Sequence, residues 1–96
     1  MKYRGRTDII DSILESVANG DGVKTRIMFH SYLSYSQLKE YLALLQLRKL
    51  IEFDETSGRF VLTEKGVQFR DAYGKISELL PSADARNEVS KVQGKI

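Results

Sequence analysis

The chain has 96 residues, the length of one domain, and its 42% hydrophobic and 29% charged content is globular rather than disordered. It has no Cys, which excludes disulfides and thiolate metal sites, and its single Pro, Pro81, argues against a loop-rich or sandwich fold. The net charge is only +2, no apolar run approaches the roughly 20 residues that span a bilayer, and the start lacks the apolar stretch of a signal peptide.

The charges are sorted into blocks. Lys2, Arg4 and Arg6 form a basic start without an acid. Asp8, Asp11, Glu15 and Asp21 follow without a base, and then Lys24, Arg26, Lys39, Arg48 and Lys49 stand against Glu40 alone. Such sorting makes one face basic and another acidic.

In chain order, Ile9, Ile10, Ile13, Leu14, Val17 and Ala18 recur at helical spacing and predict a first helix over 7–19. Asp8 and Asp11 suit the positive end of its dipole, and Asn19-Gly20-Asp21-Gly22 ends it. A shorter helix is expected at about 24–32, with Val23, Ile27 and Met28 on its apolar side. Ser34 and Gln37 have the spacing of a capping box, so a third helix starts at Tyr35. Leu38, Tyr41, Leu42 and Leu45 form its stripe, and it should end near Arg48 or Lys49.

The period then changes. Leu50-Ile51-Glu52-Phe53 and Arg59-Phe60-Val61-Leu62 favour strands, and the polar run Asp54–Gly58 joins them as a hairpin. Thr63 should cap a fourth helix running to Leu80 and stopping before Pro81, with Phe69, Tyr73, Ile76 and Leu80 on one stripe. Residues 82–96 are polar and read as a frayed tail. Phe29, Tyr32, Tyr41, Phe53 and Phe60 are expected in the core, since a small domain needs aromatic area.

The order helix, helix, helix, strand, strand, helix is a helix-turn-helix with a wing, an α+β and mostly helical fold whose chemistry is docking rather than catalysis. Its parts are a basic arm (1–6), the winged helix-turn-helix (7–63), a fourth helix (64–80) and a flexible tail (81–96). A helix fits the DNA major groove, about 12 Å wide. On the third helix Ser36, Lys39, Glu40 and Ala43 point away from the core, so Lys39 can reach phosphate or guanine and Glu40 can accept from cytosine N4; the plainer reading is a solvated face. Tyr35 and Gln37 in its first turn are candidates for backbone contact. Lys24 and Arg26 are candidate phosphate contacts or a solvated turn. Arg4 and Arg6, with Lys2, read either as a minor-groove arm or as an ordinary terminus. Arg59 closes the wing and could meet a phosphate, although Asp54 and Glu55 share that turn.

His30 is the single His and reads as an ordinary helix residue, so no metal is expected. No nucleophile–base pair or phosphate loop is present in the pattern, so neither a cofactor nor an enzyme activity is expected.

The runs Lys24-Thr25-Arg26-Ile27-Met28, Leu33-Ser34-Tyr35-Ser36-Gln37-Leu38, Tyr41-Leu42, Leu50-Ile51 and Leu62-Thr63-Glu64-Lys65-Gly66 together resemble archaeal winged-helix DNA-binding proteins. The nearest likeness is to the ten-kilodalton chromatin-type family of hyperthermophilic archaea, over residues 7–80. The resemblance implies double-stranded DNA as partner, an architectural or transcription-regulating role, a cytoplasmic and nucleoid-associated location, and a homodimer through an antiparallel coiled coil of the last helix, the dimerisation helix 64–80. Phe69, Tyr73, Ile76 and Leu80 are expected as the seam between the two copies or, for Phe69 and Tyr73, as packing on their own domain. In that family Gly usually stands where this chain has Lys49, and the dimer helix is usually longer than Pro81 allows here. Lys49 is therefore expected at positive φ. The alternative function is a winged helix that binds protein and not DNA, which the near-neutral charge favours.

Overall fold

The structure, a computed structural model, describes residues 4–79. The elements are α1 (Arg6–Ala18), α2 (Lys24–Ser31), α3 (Tyr35–Leu47), β1 (Ile51–Asp54), β2 (Arg59–Leu62) and α4 (Glu64–Leu79). The expected order is present, with boundaries shifted by one or two residues. The expected tail at 81–96, together with Lys2 and Leu80, lies outside the described residues.

α1 starts one residue earlier than expected because Gly5 caps it. The Gly5 N–H donates to Asp8 Oδ2 at 2.9 Å, and Ile9 N–H donates to the Gly5 carbonyl. The stripe buries Ile13, Leu14 and Val17, while Ile9 and Ile10 pack at the core margin. Ala18, expected on that stripe, is exposed, and Ser16 is buried instead, its hydroxyl donating to the Asp21 carbonyl at 3.1 Å. That bond closes the turn after α1, where Gly20 takes a φ of +86°.

α2 contributes Ile27 to the core and α3 contributes Leu38, Leu42 and Leu45, with Leu33, Leu50, Ile51 and Phe60 completing it. α3 begins on the expected capping box: Gln37 N–H donates to Ser34 Oγ at 3.1 Å, and Ser34 N–H donates to Gln37 Oε1 at 3.0 Å. Two helices end alike. After α2 the Leu33 N–H reaches back to the Met28 carbonyl, and after α3 the Leu50 N–H reaches back to the Leu45 carbonyl. Each closure needs one left-handed residue, Tyr32 at φ 55° and Lys49 at φ 61°. Lys49 thus occupies the conformation that the direct turn from α3 into Leu50-Ile51 demanded.

The hairpin is antiparallel, with Ile51 opposite Leu62 and Phe53 opposite Phe60. The Asp54 carboxylate accepts from the Thr56 N–H, the Asp54 carbonyl accepts from the Gly58 N–H, and Gly58 takes a φ of +70°. The wing is tied to the domain at both ends. The Phe60 N–H donates to the Gly22 carbonyl at 2.9 Å, and a Cβ at Gly22 would stand 2.1 Å from the Phe60 oxygen, so this approach requires glycine. At the other end Thr63 Oγ1 donates to the Lys49 carbonyl at 2.6 Å and accepts from the Gly66 N–H at 3.0 Å. Gly66 lies over the Leu50 carbonyl, where a Cβ would sit at 2.2 Å. The Thr63-Glu64-Lys65-Gly66 run is therefore the joint that fixes α4 against the base of the wing.

α4 returns across α1. Arg70 stands 3.5 Å from Asp11 and 3.8 Å from Glu15, and the Tyr73 hydroxyl donates to Asp8. Burial raises the Asp11 carboxyl above the ordinary carboxylate range, against the opposing pull of Arg70. α4 consequently lies along the acidic side of α1 and covers Asp11, while Glu15 stays 46% exposed.

The aromatic residues depart from expectation. Phe60 is buried and Tyr41 half-buried, but Phe29, Tyr32 and Phe53 are 74%, 84% and 48% exposed. The reason is the brevity of α2. Its eight residues bury Ile27 and Ser31, one turn apart, so Phe29 falls on the opposite side and Tyr32 lies beyond the end. Phe53 faces the same side as Ile51, yet it overhangs the edge of the core and meets Phe60 edge-on at 5.3 Å. Val23, expected on the apolar side of α2, is its exposed N-cap.

Candidate nucleic-acid interface

The Ser34 cap aims the first turn of α3 away from the core. Tyr35, Ser36, Gln37, Lys39, Glu40 and Ala43 are all exposed along it, as the periodicity of Leu38, Leu42 and Leu45 requires. Lys39 Nζ lies 5.6 Å above the Tyr35 ring. Gln37 is committed to the cap, with its side chain accepting from the Ser34 N–H.

An open groove of about 520 Å³ separates α3 from the hairpin, lined by Lys24, Lys39, Leu42, Ala43, Gln46, Phe53 and Phe60. The fold thus brings together two lysines that stand fifteen positions apart, one from the first turn of α2 and one from α3. Arg26 is exposed on the first turn of α2. Sequence reasoning missed Phe53 and Gln46 as lining residues. The signal was present for Phe53 in the period-two alternation that puts it on the Ile51 side of the strand, toward α3.

The basic start is not a free arm at Arg4 and Arg6. Arg4 Nη2 donates to the Ser31 carbonyl at 2.6 Å and its guanidinium lies 5.8 Å over the Tyr32 ring. It therefore sits at the negative end of α2 and closes its last turn. Arg6 belongs to α1 and borders a small depression with Glu40, Tyr41 and Leu44. Arg59 likewise has an internal partner, since its Nη1 donates to the Gly20 carbonyl at 2.7 Å and ties the wing to the turn after α1. At the wing tip, hydrogen bonds led by that from Ser57 hold Asp54 below the usual carboxylate range, so this turn keeps its negative charge at neutral pH.

Between α2 and α1, His30 Nε2 meets Glu15 Oε1 at 2.9 Å. No group of three or more metal-ligating side chains occurs among the described residues, and no helix among them is long and apolar enough to cross a membrane. On α4, Phe69 packs against the core and Tyr73 turns to α1, whereas Ile76 is 55% exposed and Leu79 is 82% exposed. Phe69 and Tyr73, both half-buried, thus make contacts within their own domain, and the more exposed apolar positions lie further toward the end of α4.

Comparison with known proteins agrees with this architecture. Among solved structures, the DNA-binding protein Sso10a-2 from Sulfolobus solfataricus superposes with a TM-score of 0.62 at 24% identity, over 93% of this chain and 96% of the other. The resemblance to archaeal winged-helix proteins holds at the level of the fold. No curated protein matches the chain significantly in sequence. The family pattern for the winged helix-turn-helix matches residues 3–80. That span contains the capped α3, the hairpin tied to Gly22 and the Thr63 joint to α4, and the chain belongs to the winged helix-turn-helix family.

Proposed function

We propose that the protein binds double-stranded DNA as a homodimer, in a transcription-regulating or chromatin-type architectural role, with α3 in the major groove. The observation that carries this reading is the exposed face of α3, with Lys39 and Lys24 converging on one groove beside the wing. Lys39, Ser36, Glu40 and Ala43 face the base edges. Lys24 and Arg26 contact phosphate and set the register, and Tyr35 contacts backbone. Arg4 and Arg6 add positive potential at the α2 and α3 corner rather than an extended arm. Arg59 contributes little beyond its structural bond, because it is held by Gly20 beside the acidic wing tip. The structural neighbour, described as a DNA-binding protein, supports the same reading. The second copy pairs through the open end of α4, where Ile76 and Leu79 offer apolar surface.

Such binding is electrostatic at its base. If a dimer neutralises about 6 phosphates, affinity for a labelled duplex should fall with salt at a log–log slope near −5. A salt-independent interaction, or no interaction with any duplex at roughly 50–100 mM salt, rejects the proposal and leaves a winged helix that binds protein.

A further inference from the structure

The corner where α2 turns into α3 carries three aromatic rings that the packing of the domain does not use. Phe29 lies opposite the buried side of α2, Tyr32 occupies the turn, and Tyr35, 58% exposed, opens α3. Three large exposed rings within seven positions around one helix turn point to a binding surface rather than a folding requirement. The backbone makes the same point at Tyr32. Its left-handed conformation, φ 55° and ψ 47°, suits Gly or Asn, in which the clash of Cβ is absent or relieved, yet an outward-pointing Tyr stands there.

Cations accompany the rings. Arg4 lies over Tyr32 and Lys39 over Tyr35, each within 6 Å of the ring centre. The ligand that uses both features is a polyanion with π faces of its own. An intact duplex offers a docked helix only base edges, because the faces are closed within the stack. Single-stranded DNA offers phosphates and open base faces together.

We propose that this corner, Phe29, Tyr32 and Tyr35 with Arg4 and Lys39, binds single-stranded DNA by stacking unpaired bases on the rings. The site shares Tyr35 and Lys39 with the proposed duplex face of α3, whereas Phe29 and Tyr32 have no part in that face and are therefore the rings to remove.

The test uses the full chain, a fluorescent oligothymidine of about 15 nucleotides, which cannot pair with itself, and a labelled duplex, both at low salt. Two variants remove rings without touching the core. Tyr32→Gly suits the left-handed turn and keeps the fold, while Phe29→Ser changes an exposed helix position. The wild type should bind oligothymidine, and each variant should weaken that binding about tenfold, with duplex affinity changed less than about twofold. Circular dichroism melts should show both variants folded. The proposal is overturned if the wild type does not bind oligothymidine, if the two variants bind it as the wild type does, or if they weaken duplex and single strand alike. Failure of the duplex reading is seen separately, as a wild type that ignores duplex while still binding oligothymidine.

Discussion

Lys49 shows how one residue can combine backbone strain with electrostatic compensation. At φ 61° its Cβ costs about 1 kcal/mol. Its charge lies at the negative end of α3, and its carbonyl receives Thr63 Oγ1. Lys49→Gly should remove the strain but enlarge the unfolded ensemble, for a net stabilisation of about 0.5 kcal/mol in urea melts. Marked destabilisation would mean that the charge, not the conformation, dominates at this position. For recognition, Lys39→Ala and Arg26→Ala should each weaken duplex binding by about 1 kcal/mol in a fluorescence titration, without a change in melting temperature. Asp11 is unsuitable as a neutral control because it is clasped by Arg70. Asp71→Ala, exposed on α4, serves instead, and an equal loss from it would disprove the assignment of the surface.

At the scale of elements, α1 and α4 are held by a polar seam: Asp8 with Tyr73, and Asp11 and Glu15 with Arg70. The hydrogen bond to Asp8 is the first cause that raises the Tyr73 hydroxyl above its ordinary pKa of 10.0, and burial is the second. A raised pKa means that the folded state holds the proton more tightly. The resulting stability is fully present below the unfolded value and is lost as pH rises through the folded one. Stability should therefore decline from about pH 10 upward, and Tyr73→Phe should be less stable at neutral pH but should lack this part of the alkaline decline. Denaturant midpoints across the alkaline range decide it. An identical alkaline profile in the variant would show that Tyr73 does not carry the effect.

For the whole molecule, the proposed pairing depends on what α4 can offer a second copy. Its 16 residues span about 24 Å, short for a coiled coil standing alone, and its first half is already committed to its own domain. The proposed dimerisation then rests on the exposed end. Ile76→Asp should give monomers by light scattering with helix content retained, and duplex binding should lose about half of its salt slope as one of two DNA-binding faces is lost. A wild type that is monomeric at high micromolar concentration refutes the pairing.

The elements were legible in the sequence because each rests on local chemistry. The capping box of Ser34 and Gln37, the Gly58 turn, the Thr63 start and the left-handed Lys49 all depend on neighbours within a few positions. The exposed face of α3 was legible too, since helical period alone puts Lys39 and Glu40 opposite Leu38 and Leu42. Tertiary structure decided which charges remain available and which aromatics are buried. Arg4 and Arg59 found carbonyl partners 27 and 39 positions away, and Arg70 covered Asp11 on the acidic side of α1. Phe29, Tyr32 and Phe53 stayed outside because the core is closed by aliphatic residues from α1, α3 and the hairpin. Composition records how much apolar area a chain has, but burial depends on how far each short element reaches over its neighbours. At the two turns of α2 and the edge of the wing, that reach ends before those rings.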